Sequence, residues 1–372
     1  MPRPLPAILT LLALTAFGCG RGAPAPAVIK IGMAGPLTGP QSRFGTDIIN
    51  GVTLAVDEWN EKGGVLGKKI VIVRRDDEAQ EKMAVPVARE LVNEGVAGVI
   101  GHFNSGCTIP ASEKYHEAGI PLITPSATNP QVTDRGYGDV FRLCGRDDQQ
   151  GPIGADYAID TVGAKKFAVL HDKTTYGQGL ADEFKKQVEK RLGPGAIVHY
   201  GGFPKEEKDF RAILDAVKTK SPDLWYFGGI YHQGGPLVRQ ARDIGLTAPF
   251  MSGDGVIDPE FLKTGQTAAE GSFLTFAPDL ATVPTAADFV KKYDARFGLR
   301  GPYAVYAYDA ANILIKSIAK AGATDGKAVS AAIRGTVHEG ALGKIAFDAK
   351  GDIRNSFYVM WTVKDGKFVM CK

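Results

Sequence analysis

Two short runs in the first half of the chain place hydroxyl side chains directly after an apolar segment. Residues 96–100 precede Ser105, and residues 121–124 precede the tripeptide Ser126–Thr128. The first N–H groups of a helix have no partner within it, so hydroxyls beside such a terminus can hold a small anion. This spacing would allow Ser105 and Thr128 to hold a small anion, most simply a carboxylate. On the spacing alone, a Ser105 that only caps a helix and a Thr128 that lies in an ordinary loop are slightly favoured.

An acidic residue follows an apolar run in the second half. Asp254 lies between Gly253 and Gly255, just after residues 249–251. A buried carboxylate without a partner is costly, so it would need a cation, and flanking glycines let a ligand come close. The alternative is a turn aspartate that caps the next helix. As a loop residue between glycines, Asp254 is expected to lie outside the core.

Sequence motifs for catalysis are absent. No GxSxG, HExxH, phosphate-loop or GxGxxG motif occurs in a suitable setting, and the six histidines lack metal-ligand spacing. His102 and His171, which each follow a strand, are expected to be loop or structural residues. Catalytic groups can converge from distant positions, so this absence weighs only weakly against an enzyme. We expect no catalytic residue, metal or cofactor.

Strand and helix patterns alternate in two successive runs along the chain. The length of 372 residues favours two domains, and the alternation favours parallel sheets, so the expected fold is α/β with two doubly wound units. The formal net charge of +3 is small, and the lysines and arginines do not cluster into a basic stripe. Both observations argue against nucleic acid as a partner.

The N-terminus has the features of an export signal. Arg3 precedes the apolar stretch 5–17, which is too short to span a bilayer and ends in Gly18-Cys19. This ending resembles the bacterial lipoprotein signal, in which the cysteine is lipidated after cleavage. Ala16 stands where that signal usually has leucine, and an ordinary secretory signal is the alternative. We expect a signal peptide over 1–19, a tether over 20–27 and a periplasmic or cell-surface protein anchored to the membrane by Cys19.

The remaining cysteines allow a disulfide in an exported protein but do not specify it. There are three of them, Cys107, Cys144 and Cys371, so at least one stays unpaired within the chain.

Several longer motifs together resemble one family, that of the periplasmic leucine/isoleucine/valine-binding proteins, the type I substrate-binding proteins of branched-chain amino acid ABC importers. The resemblance covers nearly all of the mature chain. Its most specific pieces are GPLTGPQSRFG (35–45), VIGHFNSGCTIPAS (99–112), LITPSATNP (122–130), HDKTTYGQGLA (171–181), YFGG (226–229) and FMSGDGV (250–256).

The resemblance implies a type I periplasmic binding protein fold, in which two doubly wound lobes are joined by a three-segment hinge and close on a ligand. Lobe one would be residues 28–146 plus 278–356, and lobe two residues 147–277 plus 357–372. Ser105 and Thr128 match residues that hold the ligand carboxylate, the Ser126 carbonyl falls where the ammonium donates, and Asp254 falls where the family often has a glutamate facing that ammonium. The implied ligand-contact set is Ser105, Ser126, Ala127, Thr128, Tyr176, Asp254, Phe44, Phe103, Tyr231 and Tyr303.

Two departures from the family pattern affect the site. Asp254 is one methylene shorter than glutamate, and ungapped matching puts Ile230, next to Tyr231, where a tyrosine is expected. The resemblance implies a monomer that captures a branched-chain or similar aliphatic amino acid and delivers it to the permease of an ABC importer. The alternatives are the same fold binding an amide, urea or aromatic acid, a sensory ligand-binding protein, and an enzyme.

Overall fold

The computed structural model describes Met1 and residues 27–371. The expected signal peptide, Cys19 and nearly all of the expected tether lie outside the described residues. In the described part of the chain, every helix is too short or too polar to cross a membrane.

The first sheet has five parallel strands in the order β2-β1-β3-β4-β5. They are β1 (Ile29–Gly35), β2 (Ile70–Asp76), β3 (Val99–Ile100), β4 (Leu122–Thr124) and β5 (Val140–Arg142), and the connecting helices are α1 (Ser42–Glu61), α2 (Glu81–Asn93), α3 (Ser105–Glu117) and α4 (Gln131–Asp134). Strands β3, β4 and β5 are buried throughout, as expected for a parallel sheet covered on both faces.

The chain then enters a second sheet. Its parallel strands are β6 (Phe167–His171), β7 (Ile197–Gly202), β8 (Leu224–Gly228), β9 (Phe250–Ser252) and β10 (Phe273–Phe276), and its helices are α5 (Asp147–Asp160), α6 (Thr175–Leu192), α7 (Arg211–Thr219), α8 (Tyr231–Asp243) and α9 (Pro259–Gly265). The sequence pattern does not predict β10, which lies inside the sheet between β13 and β9.

After β10 the chain returns to the first sheet through α10 (Ala287–Phe297), α11 (Ala304–Ala321), α12 (Gly326–Arg334) and a small hairpin, β11 (His338–Gly340) and β12 (Gly343–Ile345). Helix α11 packs on α1, β3 and β4. The approach to α1 is close, because a Cβ on Gly51 would lie 2.3 Å from the Ala304 carbonyl oxygen. We call β1–β5 with α1–α4 and α10–α12 the first unit.

A third crossing ends in β13 (Val359–Lys364) and β14 (Lys367–Met370), which add antiparallel strands beside β10 and complete the order β14-β13-β10-β9-β8-β6-β7. The two strands form a hairpin that turns at Asp365-Gly366, where both residues have positive φ. We call this sheet with α5–α9 the second unit. The chain therefore passes between the units three times. Within the described residues, Cys107, Cys144 and Cys371 are all free thiols.

Candidate functional site

The predicted carboxylate site lies at the carboxyl edge of the first sheet. Ser105 is the first residue of α3, and Asn104 occupies the N-cap position without a side-chain capping bond. The N-cap alternative for Ser105 is therefore wrong. Its Oγ accepts a hydrogen bond from the Asn129 N–H at 3.2 Å, so its own hydroxyl proton remains available to a ligand.

Thr128 lies in the adjoining loop and faces the start of α5. Its carbonyl accepts from the Asp147 N–H at 3.0 Å. The Thr128 hydroxyl lies close enough to the Asp147 carboxylate to favour the charged form of Asp147. The two groups nevertheless lack hydrogen-bond geometry. Both are buried without another hydrogen-bond partner in the described chain. Buried polar groups normally have partners, so this is a place suited to a polar ligand.

The loop that carries Thr128 is fixed by a buried arginine. Arg142, at the end of β5, donates to the carbonyls of Ala127 at 3.2 Å and Asn129 at 2.7 Å. Its Nε donates to the Asp352 carboxylate at 2.8 Å. Ser126 is held separately, because its hydroxyl donates to the Phe103 carbonyl at 3.1 Å. The backbone around Thr128 is thus set by contacts that leave its hydroxyl free.

Asp254 reaches the same region from the second unit. It opens a short 3₁₀ turn, and its side chain does not cap that turn. One carboxylate oxygen accepts from Tyr176 Oη at 2.8 Å and the other from Tyr303 Oη at 2.7 Å. The residue is only 3% exposed, so the expectation that it lies outside the core is wrong.

The electrostatics of this carboxylate favour a cationic partner. Burial raises the pKa of Asp254, and hydrogen bonds from Tyr303 and Tyr176 partly offset that effect. Burial also raises the pKa of Asp147 well above its usual value, and the negative charge of Asp254 raises it further. In the described chain, neither carboxylate forms an ion pair with a lysine, arginine or histidine. An ammonium group beside Asp254 would relieve this cost.

Aromatic rings from both units form the expected apolar wall. Phe44 stacks on Phe103 with ring centroids 4.4 Å apart and meets the rings of Tyr231 and Tyr303 edge to face at 4.8 and 5.4 Å. Tyr231 therefore directs its ring at this wall. Ile230 is buried at the N-cap of α8.

The two units meet across the site. The Tyr231 hydroxyl donates to the Pro40 carbonyl at 2.8 Å, and Arg43 pairs with Asp258 at 2.9 Å. Asn129 donates to the Thr175 carbonyl at 3.0 Å. Direct bonds between the units therefore surround the predicted ligand-contact residues.

Tyr303 is held in place by Asp47 of α1. The carboxylate of Asp47 accepts from the backbone N–H of Gly301 at 2.8 Å and of Tyr303 at 2.7 Å. Burial raises the pKa of Asp47 to about 6, against the lowering effect of these hydrogen bonds. Asp47 thus fixes the residue that bonds Asp254.

Asp47→Asn should change how stability depends on pH. A folded pKa near 6 against an ordinary value of 3.8 means that the folded protein binds the proton more tightly. The wild type should therefore lose stability relative to the variant as pH rises from about 4 to about 6, by up to roughly 3 kcal/mol, with no further change above about pH 7. Urea unfolding of both proteins between pH 4 and 8 measures this difference. A difference that does not vary with pH would contradict it.

Three supporting residues were missed in the sequence: Asp47, Arg142 and Asp147. Asp147 carries a signal that could have found it, since it opens the helix that follows β5, much as Asp254 opens a 3₁₀ turn after β9. Asp47 and Arg142 carry none, because their partners lie 256 and 210 positions away. His102 is a buried structural residue, as expected, bonded to Asp77 at 2.7 Å and Tyr115 at 3.0 Å.

Comparison with known proteins agrees with the two-unit α/β fold. The family model described as periplasmic binding protein matches residues 28–367, and the chain belongs to that family. The family and its structural neighbours are substrate-binding proteins, and membership places the protein outside the cytoplasm.

The chain is similar to the Leu/Ile/Val-binding protein homolog 1 of Brucella suis, with 40% identity over 97% of this chain and 96% of that one. Among solved structures it is similar to the leucine binding protein LivK of Thermotoga maritima, with 31% identity, a TM-score of 0.86 and coverage of 93% and 98%. It is also similar to the branched-chain amino acid transporter substrate binding protein LivJ of Streptococcus pneumoniae in complex with isoleucine, with 30% identity, a TM-score of 0.83 and coverage of 93% and 100%.

Proposed function

We propose that this protein captures a branched-chain or similar aliphatic amino acid between two closing lobes and delivers it to the permease of an ABC importer. The observation that carries the proposal is the buried Asp254 carboxylate, which has no cationic partner in the described chain and lies at the junction with the unit that bears Ser105 and Thr128. The relatives named for leucine, isoleucine and valine support the same ligand class.

The site residues supply complementary partners for an α-amino acid. Ser105 and Thr128 would donate to the carboxylate, while Asp254 and the Ser126 carbonyl would accept from the ammonium. Phe44, Phe103, Tyr231 and Tyr303 would surround an aliphatic side chain, as is typical of concave sites with few polar anchors. Tyr176 and Ala127 complete the proposed contact set.

The lobes of this proposal are residues 28–146 plus 278–356 and residues 147–277 plus 357–372. The three passages of the chain between the two sheets support this division, as does the pairing of β13 with β10 in the second sheet.

A thermal-shift screen of all amino acids tests the function. A ligand that binds only the folded state stabilises it by about 2.7 kcal/mol at a concentration of 100 Kd. Leucine, isoleucine or valine should raise the melting temperature most, and the corresponding keto acids should raise it little. Stabilisation by an amide, a urea or an aromatic acid, without any by amino acids, would overturn the proposal in favour of another ligand class.

Ligand should also make the molecule more compact. A ligand that contacts both lobes favours the closed arrangement to the extent of its differential affinity for it. Small-angle X-ray scattering should therefore give a smaller radius of gyration with saturating leucine than without it. Arg43→Ala, which removes the bridge between the units to Asp258, is the comparison variant, and its unliganded radius of gyration should be at least as large as that of the wild type. An unchanged radius on saturation of the wild type would count against closure.

The membrane anchor is a separate proposal. Gly18-Cys19 at the end of an apolar stretch supports lipidation of Cys19, with residues 20–27, rich in small residues and proline, as the proposed tether. Stable anchoring takes more than one acyl chain. Cys19→Ala expressed in a bacterial host should move from the membrane to the soluble fraction. Cys371→Ala, which changes a cysteine at the other end of the chain, should stay with the membrane like the wild type. Membrane retention of Cys19→Ala would refute the anchor.

A further inference from the structure

A cavity of about 510 Å³ lies beside the proposed amino acid site, on the side of the three passages between the units. Its lining includes residues from each passage, Cys144 from the first, Pro278 from the second and Tyr358 from the third, as well as Phe276 at the end of β10. The volume falls in the range of small-molecule sites in proteins. We call it the hinge cavity.

The inner end of the hinge cavity is polar. Asp254 and Tyr303 form part of its lining, so the cavity shares this wall with the proposed amino acid site. Tyr358 is only 9% exposed. Its hydroxyl is buried and has no hydrogen-bond partner in the described chain. A buried hydroxyl without a partner is costly, so a ligand that bonds it gains affinity.

The outer end is open to solvent and carries large apolar side chains beside Arg300, whose charge is paired with Asp294 at 2.7 Å. Leu299 is 80% exposed and Phe357 is 61% exposed, and both line the cavity. Exposed apolar residues that rim a concave surface are typical of a ligand-binding groove. The carboxylate at the inner end disfavours an anion, and the apolar entrance makes the desolvation of a cation costly.

We propose that the hinge cavity binds a neutral aromatic molecule that carries one hydrogen-bond donor. Its ring system fills the apolar part between Leu299, Phe357 and Phe276, and its donor bonds the Tyr358 hydroxyl. Because all three passages line the cavity, such a molecule stabilises the present arrangement of the two units.

The probe for the test is N-phenyl-1-naphthylamine, a neutral aromatic amine with one N–H donor whose fluorescence rises in apolar surroundings. Purified wild-type protein should bind it saturably with one site per chain. Leu299→Glu/Phe357→Glu should weaken binding at least tenfold, and both positions are exposed enough for the variant to fold. Val337→Glu is the matched control, because Val337 is 60% exposed and does not line the cavity. It should bind like the wild type. No saturable binding, or equal binding by the double variant, would overturn the proposal.

Tyr358→Phe tests the polar contact. It should weaken N-phenyl-1-naphthylamine binding at least threefold but leave the affinity for 1-phenylnaphthalene, which has no donor, unchanged. Equal effects on both probes would overturn the assignment of the hydroxyl.

The expected coupling between the hinge cavity and closure of the two units on leucine rests on the proposed function. Saturating leucine should tighten probe binding at least threefold, and the probe should tighten leucine binding by the same factor. If leucine binds without changing probe affinity, the hinge assignment is wrong. If leucine fails to bind while the probe still does, the proposed amino acid function fails and the cavity stands.

Discussion

Asp254→Ala is expected to weaken leucine binding by at least tens-fold. Truncating one member of a buried charge pair costs about 2–5 kcal/mol, partly because the other member is left unpaired. Here the variant would leave the ligand ammonium without its carboxylate, and the hydroxyls of Tyr176 and Tyr303 without their acceptor. Isothermal titration calorimetry on both proteins measures the loss.

A ligand without the amine separates a binding role from a structural one. The keto acid of leucine keeps the carboxylate and the branched side chain but has no ammonium, so its affinity should change little. Because Asp254 is buried, Asp254→Asn is the better-matched variant, since it keeps the volume and removes the charge. It should also weaken leucine binding and abolish the fall in affinity expected when Asp254 becomes protonated at low pH. Equal losses for leucine and keto acid would make Asp254 structural.

Arg142→Met is expected to lower the free energy of unfolding by about 3–5 kcal/mol. Removing one partner of a buried ion pair leaves the other charge poorly compensated. Here Asp352 would keep only Arg146, which pairs with its other carboxylate oxygen at 2.8 Å. Arg142 is fully buried and Asp352 is 6% exposed. The variant also leaves the carbonyls of Ala127 and Asn129 without their donor, so the loop with Thr128 should loosen and leucine affinity should fall. Urea denaturation measures the stability, and calorimetry measures the affinity.

A surface pair provides the control for Arg142. Arg211 pairs with Asp209 where both side chains are more than half exposed. Arg211→Met should change the free energy of unfolding by no more than about 0.5–1 kcal/mol, because exposed pairs contribute little. Restoration of stability in Arg142→Met by Asp352→Leu would locate the cost in the Asp352 charge, which Arg146 alone does not fully compensate. A loss for Arg142→Met no larger than that for Arg211→Met would refute the role given to this pair.

Local patterns in the sequence sufficed for the class of fold. Apolar runs followed by amphipathic segments predicted alternating strands and helices, because the periodicity of a segment reports which of its faces is buried. The same patterns put Ser105, Thr128 and Asp254 after strand ends, where parallel sheets bind ligands. The sequence pattern did not predict strand β10, because a short apolar segment has no periodicity that distinguishes a strand from a buried loop or helix.

Tertiary structure alone decided how the site residues are supported. Asp254 looked like a loop residue, yet hydroxyls from Tyr176 and Tyr303, 78 and 49 positions away, enclose it in the core. Asp147 became a second buried carboxylate because α5 begins beside Thr128. Arg142 and Asp352 lie 210 positions apart and meet only because the chain crosses between the sheets three times. Local propensity describes a segment and its near neighbours, whereas partners so far apart in sequence are set by the order in which the strands and helices assemble.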